Sequence, residues 1–318
     1  MKVLITGAFG NIGSSTIENF LEKNDSKLQV RCFDIKNEAN EKKALKFNGR
    51  LETIWGDLRK IEDVNTAVDG CDVIIHLAFL LPPVSETKPE FAYAVNVGGT
   101  KNILSAIKQF SPGARIIFAS SVSVYGPSTG DNPPRTASDP VFSTDNYTSH
   151  KIECEGLVKD SGLEWVITRF GVVPPLAVGG KFDAVLYEIP LDGRLEFVHT
   201  RDVGLALANA VFCKECAGKI LLIGGGKRCQ IYEREFISRF LKINGIGMLP
   251  DEAFTKKPYY TEWMDTEESQ KLLNYQRLTF DDFLEEIKKT IGFRRYIIKL
   301  LSPVIRKSLL AKSPYYKK

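Results

Sequence analysis

Apolar residues along this chain fall into short unbroken runs separated by longer amphipathic stretches. KVLIT (2–6), LQVRCFDI (28–35), LETIWGD (51–57), CDVIIHLAF (71–79), ARIIFASS (114–121) and LEWVITRF (163–170) read as strands. Between them lie helical patterns such as NIGSSTIENFLEK (11–23), FAYAVNVGGTKNILSAIKQF (91–110) and the helix opened by NYTSHK (146–151). A strand reads as a continuous apolar run when helices cover both faces of its sheet, the situation of a parallel sheet. The alternation therefore predicts an α/β fold built on a doubly wound parallel sheet.

After Phe170 the rhythm breaks into GVVPPLAVGGKFD, a Pro/Gly stretch suited to loops at the mouth of a site. LEFVHTRDVGLALANAV (195–211) reads as a strand and helix returning to the sheet. Helices are expected at YEREFISRFLKI and TFDDFLEEIKKTIG. The predicted division is a sheet domain at 1–170 and 195–224, and a smaller, discontinuous substrate-binding cap at 171–194 and 225–292. A basic amphipathic C-terminal tail follows at 293–318.

Charge sharpens the last boundary. From Lys288 onward there are ten Lys or Arg and no acid, which leaves residues 1–287 with 33 bases against 39 acids. The tail mixes Ile297, Ile298, Leu300, Leu301, Val304, Ile305, Leu309 and Leu310 with these cations, and Pro303 breaks it into two short helices. Such a segment suits peripheral contact with an anionic membrane at its inner face, or packing on its own domain or on a partner subunit.

Hydrophobic residues at 43% and charged residues at 26% are ordinary globular values, and no apolar run of eighteen residues is present to span a bilayer. MKVLITGAFG lacks the longer apolar segment and cleavage site of a secretory signal, so a cytoplasmic protein is expected. Six scattered cysteines are expected as reduced thiols, Cys213 and Cys216 among them as two helix-surface thiols. His76, His150 and His199 sit in three separate motifs, so no metal site is predicted. Aromatic and basic residues do not interleave on any nucleic-acid-binding pattern, so nucleic acid is not an expected partner.

Candidate chemistry begins where the first strand ends. Thr6, Gly7, Ala8, Phe9, Gly10, Asn11, Ile12 and Gly13 form T-G-x-x-G-x-x-G between a strand and a helix. Gly7, Gly10 and Gly13 permit a tight turn and close backbone approach to a pyrophosphate, which the helix N-terminus favours electrostatically. Asp34 follows Gly13 by 21 residues, at the end of the second strand, where an acid meets the adenosine ribose. A carboxylate there accepts hydrogen bonds from a 2′-hydroxyl and repels a 2′-phosphate, which predicts NAD rather than NADP on a Rossmann-type sheet. Arg31 and Lys36 flank Asp34, and the strand alternation should point them elsewhere.

Tyr147 and Lys151 are four residues apart, so on a helix they share one face and can reach one cleft. A free tyrosine, with pKa about 10, needs its pKa lowered by about 3, roughly 4 kcal/mol, to be half ionised at pH 7. A nearby ammonium and the positive ring of NAD⁺ can supply this, and Tyr147 would then take a proton from a substrate hydroxyl as hydride leaves the same carbon.

TGAFGNIG, Asp34, GDL at 56–58, HLAF at 76–79, NVGGT from Asn96, SSVSVYG from Ser120, YTSHK from Tyr147 and FVHTRDV around His199 occur in order. Together they resemble the extended short-chain dehydrogenase/reductase family, which includes sugar epimerases and dehydratases, over residues 1 to about 290. The resemblance implies that Asp57, Leu58, Leu77 and Ala78 line the cofactor beside Gly7, Gly10, Asn11, Ile12 and Gly13. It also implies that Lys151 holds the nicotinamide ribose, that Ser121 (or nearby Ser123) orients the reacting hydroxyl, and that His76 and His199 are structural. Substrate contacts are expected at Phe79, Ser121, Ser123, Phe170 and Arg194, and family members commonly pair as homodimers through the NVGGT and YTSHK helices.

Val122 and Ser123 stand where family dehydratases carry an Asp-Glu pair, which disfavours loss of water. Leu195 and Glu196 stand where many nucleotide-sugar enzymes carry Arg-Asp, leaving Arg194 as a shifted substitute. The leading expectation is an NAD-dependent epimerase or oxidoreductase acting on a secondary hydroxyl of a sugar or nucleotide-sugar. The apolar edge FLLPP (79–83) and the tail support the nearest rival, an NAD-dependent dehydrogenase of a lipid-like or steroid-like alcohol at a membrane surface. A non-catalytic NAD sensor is the third reading, against which the Ser121, Tyr147 and Lys151 set argues.

Overall fold

Six of the apolar runs become strands: β1 (Lys2–Thr6), β2 (Gln29–Asp34), β3 (Glu52–Trp55), β4 (Val73–His76), β5 (Arg115–Ser121) and β6 (Glu164–Phe170). Three more follow, β7 (Arg194–Glu196), β8 (Lys219–Ile223) and β9 (Gln230–Tyr232). The computed structural model describes residues 1–47, 49–128, 133–176 and 185–316.

Seven strands form one parallel sheet in the order β3-β2-β1-β4-β5-β6-β8. Because side chains alternate across a strand, β1 sends Val3 and Ile5 to one face and Leu4 to the other. The first face is covered by helices Asn11–Lys23 and Thr200–Ala210 through Ile17, Phe20, Val203 and Leu207. The second is covered by helices Gly99–Phe110 and Asn146–Lys159 through Ile103, Ile107 and Val158. The chain leaves β1 in one direction and β4 in the other, so the strand order reverses between them. In an open α/β sheet that switch point, at the C-terminal strand ends, is where a ligand crevice forms.

The segment expected to return to the sheet divides in two. β7 pairs antiparallel with β9 in a separate two-stranded sheet, and Leu195 packs with Ile231, Phe280 and Phe283. The main sheet is completed instead by β8, KILLI, beside β6. Three strand residues carry no pattern that tells which sheet they join, so the periodicity placed the boundary a few residues early. Residues 177–184 of the expected cap segment lie outside the described residues.

Two local features also differ from expectation. Cys213 and Cys216 are joined as a disulfide, with Cα atoms 5.5 Å apart and Cys216 fully buried. Helix Thr200–Ala210 stops before them, so C-x-x-C lies on a turn rather than on a helix surface. The other four cysteines are buried free thiols. The C-terminal residues form helices Arg294–Leu300 and Ser302–Lys312, and Leu309 is buried against Tyr187, Ile237 and Leu241. No helix among the described residues is long and apolar enough to cross a membrane.

Candidate active site

A cleft of about 790 Å³ opens over the C-terminal ends of the central strands. Gly7, Gly10, Asn11, Ile12, Gly13, Asp34, Asp57, Leu58, Leu77 and Ala78 line one part of it. Phe79, Ser121, Tyr147, Lys151 and Phe170 line the rest. Ser123 and Arg194 are not on its wall.

The glycine turn is set by close backbone contacts. Gly7 has φ +66°, donates its N–H to the Phe33 carbonyl at 2.9 Å, and a Cβ on it would lie 2.9 Å from the Ala78 backbone. A Cβ on Gly13 would lie 2.6 Å from the Ala8 carbonyl oxygen. Helix Asn11–Lys23 starts at Gly10 with no side chain capping it and no acid in its first turn. Uncapped N–H groups at a helix start, facing a cleft and unopposed by negative charge, fit a pyrophosphate.

Asp34 ends β2 at the same cleft and accepts hydrogen bonds from the N–H groups of Phe9 (2.9 Å) and Ile35 (2.8 Å) and from Asn40 Nδ2 (3.2 Å). Burial pushes its carboxyl above the usual range, against those two N–H groups and the charge of Lys43. The flanking cations point elsewhere: Arg31 binds the Ala67 and Asp69 carbonyls and Glu52, and Lys36 sits 3.6 Å from Glu41. The residues present therefore fit NAD: the turn could hold its phosphates, and the Asp34 carboxylate could accept hydrogen bonds from its adenosine ribose. Asp57 is less free than expected: both carboxylate oxygens bind Arg59, whose hydrogen bonds hold the Asp57 pKa down.

At the other end, Asp145 caps helix Asn146–Lys159 in a capping box with Thr148, which aims Tyr147 and Lys151 at the end of β5. Ser121 stands with Tyr147 on the same cleft wall, close enough to oppose the rise of the tyrosine's pKa. Ser123 donates its hydroxyl to Ser121 Oγ at 2.8 Å and is buried behind it, so the two alternatives occupy different positions and only Ser121 faces the cleft. Lys151 is 4% exposed, donates to the Ala119 carbonyl at 2.5 Å, and lies 3.5 Å above the centre of the Phe79 ring.

The electrostatics differ from the sequence argument. Burial raises the Tyr147 pKa to about 12, with the neighbouring Ser121 hydroxyl opposing it, and burial lowers the Lys151 pKa to about 7. Lys151 Nζ is 5.8 Å from the centre of the Tyr147 ring, and its hydrogen bond goes to the strand instead. Desolvation thus outweighs the pair attraction assumed from the four-residue spacing.

Arg194 meets a partner that no local pattern announces. Its Nε and Nη2 reach Glu262 at 2.5 and 2.6 Å, 68 residues on, and Nη2 also approaches Ser128 at 3.2 Å. His76 is held by Thr6 (2.7 Å) and Thr100 (3.1 Å), and His199 caps helix Thr200–Ala210 through the Arg201 N–H. Sequence reasoning overlooked Asn96, whose amide braces both the N–H and carbonyl of Leu80 at the cleft rim (2.7 and 3.1 Å). It also overlooked Glu86, which accepts the Tyr147 N–H at 3.2 Å. Asn96 lay inside the quoted NVGGT, whereas nothing near Glu86 marked it.

Residues 4–166 match the 3-beta hydroxysteroid dehydrogenase/isomerase family. A 3-beta-hydroxysteroid dehydrogenase of Mycolicibacterium neoaurum is 29% identical over 192 residues, covering 58% of this chain and 50% of that protein. The chain thus spans about half the length of that relative. A Bacillus subtilis protein named an uncharacterized UDP-glucose epimerase is 26% identical over 309 residues, covering 88% and 94%. A solved short-chain dehydrogenase/reductase superfamily protein of Agrobacterium tumefaciens with bound NAD superposes with a TM-score of 0.75 at 19% identity, covering 94% of this chain and 99% of that one.

Proposed function

The chain belongs to the 3-beta hydroxysteroid dehydrogenase/isomerase family, and we propose that it interconverts a secondary alcohol and its ketone with NAD, on a predominantly apolar substrate. NAD supplies the hydride acceptor or donor. Ser121 orients the substrate oxygen, and Tyr147 exchanges its proton with that oxygen at the cleft wall. Lys151, anchored on Ala119 and covered by Phe79, positions the nicotinamide ribose. From a pKa of about 12, ionising Tyr147 at pH 7 costs on the order of 7 kcal/mol. A protonated Tyr147 is a ready general acid, so the same site reduces a ketone at neutral pH and oxidises the alcohol faster as pH rises.

The observation that carries the substrate class is the engagement of Arg194 by Glu262. An arginine neutralised by a bidentate carboxylate has little left to offer a diphosphate. At the rim stand Phe79, Leu80, Leu81, Phe170 and Val173. Of the cations among the described lining residues, Lys43 and Arg59 share the Asp34 and Asp57 end and Lys151 is anchored on the Ala119 carbonyl.

A second reading, epimerisation of a nucleotide-sugar, is favoured by the nearly full-length similarity to the Bacillus subtilis relative. One panel separates them: apolar cyclic secondary alcohols and ketones against UDP- and CDP-hexoses, followed by reduced-nicotinamide absorbance and by product stereochemistry. Net NADH change with the apolar set supports the proposal, and inverted hexose without net NADH supports the second reading. Tyr147→Phe should lower turnover at least about 100-fold while NAD still binds; full activity in that variant would remove Tyr147 from the proton-transfer role.

A further inference from the structure

Helices Arg294–Leu300 and Ser302–Lys312 have two unlike faces. Inward, Ile298, Ile305, Leu309 and Leu310 pack on the cluster of Tyr187, Ile237 and Leu241. Tyr187 donates to the Leu309 carbonyl at 2.8 Å, Ser313 to the Ala253 carbonyl at 2.6 Å and Tyr315 to Glu188 at 2.7 Å. The segment is therefore fixed in place, and its outward face is a built surface rather than a free peptide.

That outward face is apolar. Phe293 is 75% exposed, Tyr296 54%, Ile297 50%, Leu300 81%, Leu301 49% and Val304 69%. Their spacing alternates three and one: Tyr296, Ile297 and Leu300 share one side of the first helix, Phe293 and Leu301 flank it, and Val304 follows in the first turn of the second. Six large apolar side chains bare to water on one stripe cost solubility unless something covers them.

The surroundings say what that is. Arg294, Arg295, Lys299, Arg306, Lys307 and Lys312 accompany the stripe with no acid among them, and the last ion pair along the described chain joins Lys288 to Glu285. Beside Tyr296 lies a groove of about 540 Å³ in which Lys242, Arg295 and Lys299 stand; its acids are engaged, Asp281 by Arg239 and Glu285 by Lys288. Cations ringing an apolar stripe complement phosphate headgroups above acyl chains. A second copy of the same face would oppose cation to cation instead.

We propose that this face docks the protein on an anionic phospholipid bilayer, with the stripe entering the interface and Lys242, Arg295 and Lys299 meeting headgroup phosphates. The docking does not depend on which substrate the cleft takes. The test is flotation of the full chain with phosphatidylcholine vesicles, or with vesicles of equal parts phosphatidylcholine and phosphatidylglycerol. Wild type should float with the anionic vesicles only, and less so at high salt. Leu300→Asp with Val304→Asp changes exposed positions, so the melting temperature and NAD binding should hold while flotation falls at least about tenfold. Lys242→Glu with Lys299→Glu should fall comparably. No flotation of wild type on anionic vesicles, or equal flotation of all variants, overturns the proposal. So does a wild-type dimer in sedimentation velocity that the Leu300→Asp, Val304→Asp change dissolves without any vesicle binding.

Discussion

Directly behind the candidate site, Arg169 and Glu155 form a pair in which each residue is 2% exposed. Arg169 Nε and Nη2 donate to the two Glu155 oxygens at 2.9 and 2.6 Å, and Ser120 adds a third bond to Glu155 at 2.6 Å. Glu155 is one helical turn beyond Lys151 and two beyond Tyr147, while Ser120 adjoins Ser121 and Arg169 adjoins Phe170. The pair therefore pins the helix of the proton-transfer residues to β5 and β6. Glu155→Gln keeps the shape and removes the charge, leaving Arg169 buried with no carboxylate among the described residues, only the neutral Tyr125 hydroxyl and Ala137 carbonyl.

Breaking a buried pair from one side costs about 3–5 kcal/mol. The expected result is a loss of that size in urea unfolding at pH 7. Arg169→Met with Glu155→Leu should be milder than either single change, because it leaves no unpaired charge. The pH dependence follows from sign. Burial pushes the Glu155 pKa upward, but the hydrogen bonds and charge of Arg169 and the Ser120 hydroxyl bring it below the usual value. Its stabilisation is thus fully present above the unfolded carboxyl pKa, about 4.3, and is lost as pH falls through the lower folded value. The gap between wild type and Glu155→Gln should close there. A Glu155→Gln loss under about 1 kcal/mol, or a gap independent of pH, would refute the lock.

Two further outcomes test the cofactor end. Gly13→Ala drives a Cβ into the Gly7 and Ala8 carbonyls, an overpacking of about 1–3 kcal/mol, and should weaken NAD binding in a fluorescence titration. Gly113→Ala, with nothing within 4 Å of its Cβ, should leave binding unchanged, and equal behaviour of the two would discount the tight turn. Asp34→Asn removes the charge facing a 2′-phosphate while Lys43 remains on the cleft wall, so the NAD to NADP preference should fall at least about tenfold, near 1.4 kcal/mol. An unmoved ratio of Kd values would show that Asp34 does not select the cofactor.

What was legible in the sequence was whatever the chain enforces locally. Leu4, Ile74 and Ile116 announce buried parallel strands because both faces are covered, and Gly7, Gly10 and Gly13 announce the turn because neighbouring backbone leaves no room for Cβ. The Tyr147 and Lys151 spacing brought both to one cleft, since helical periodicity alone decides that. Their pKa values were not legible, because the burial of Lys151 under Phe79 and Phe118, and of Tyr147 against Phe79, depends on segments far away in sequence. β7 and the Cys213–Cys216 bridge escaped for a similar reason: the first depends on β9, the second on where a helix happens to end.

Cations show the distinction most clearly, because a basic residue means different things according to which carboxylate or carbonyl folding brings to it. Arg31 flanks Asp34 but points elsewhere, as the strand alternation led one to expect, and is consumed by the Ala67 and Asp69 carbonyls and Glu52. Arg194 looked able to grip a diphosphate, yet Glu262 answers it across 68 residues. Arg169 sits beside the site and is answered by Glu155. In each case a long-range partner removes the charge from service to a ligand. The cations that accompany the 293–304 stripe are different, since the whole segment carries no acid and the last described ion pair precedes it at Glu285 and Lys288. Charge left unanswered beside exposed apolar surface is the combination that calls for an external anion with an apolar interior, and a phospholipid bilayer supplies both at once.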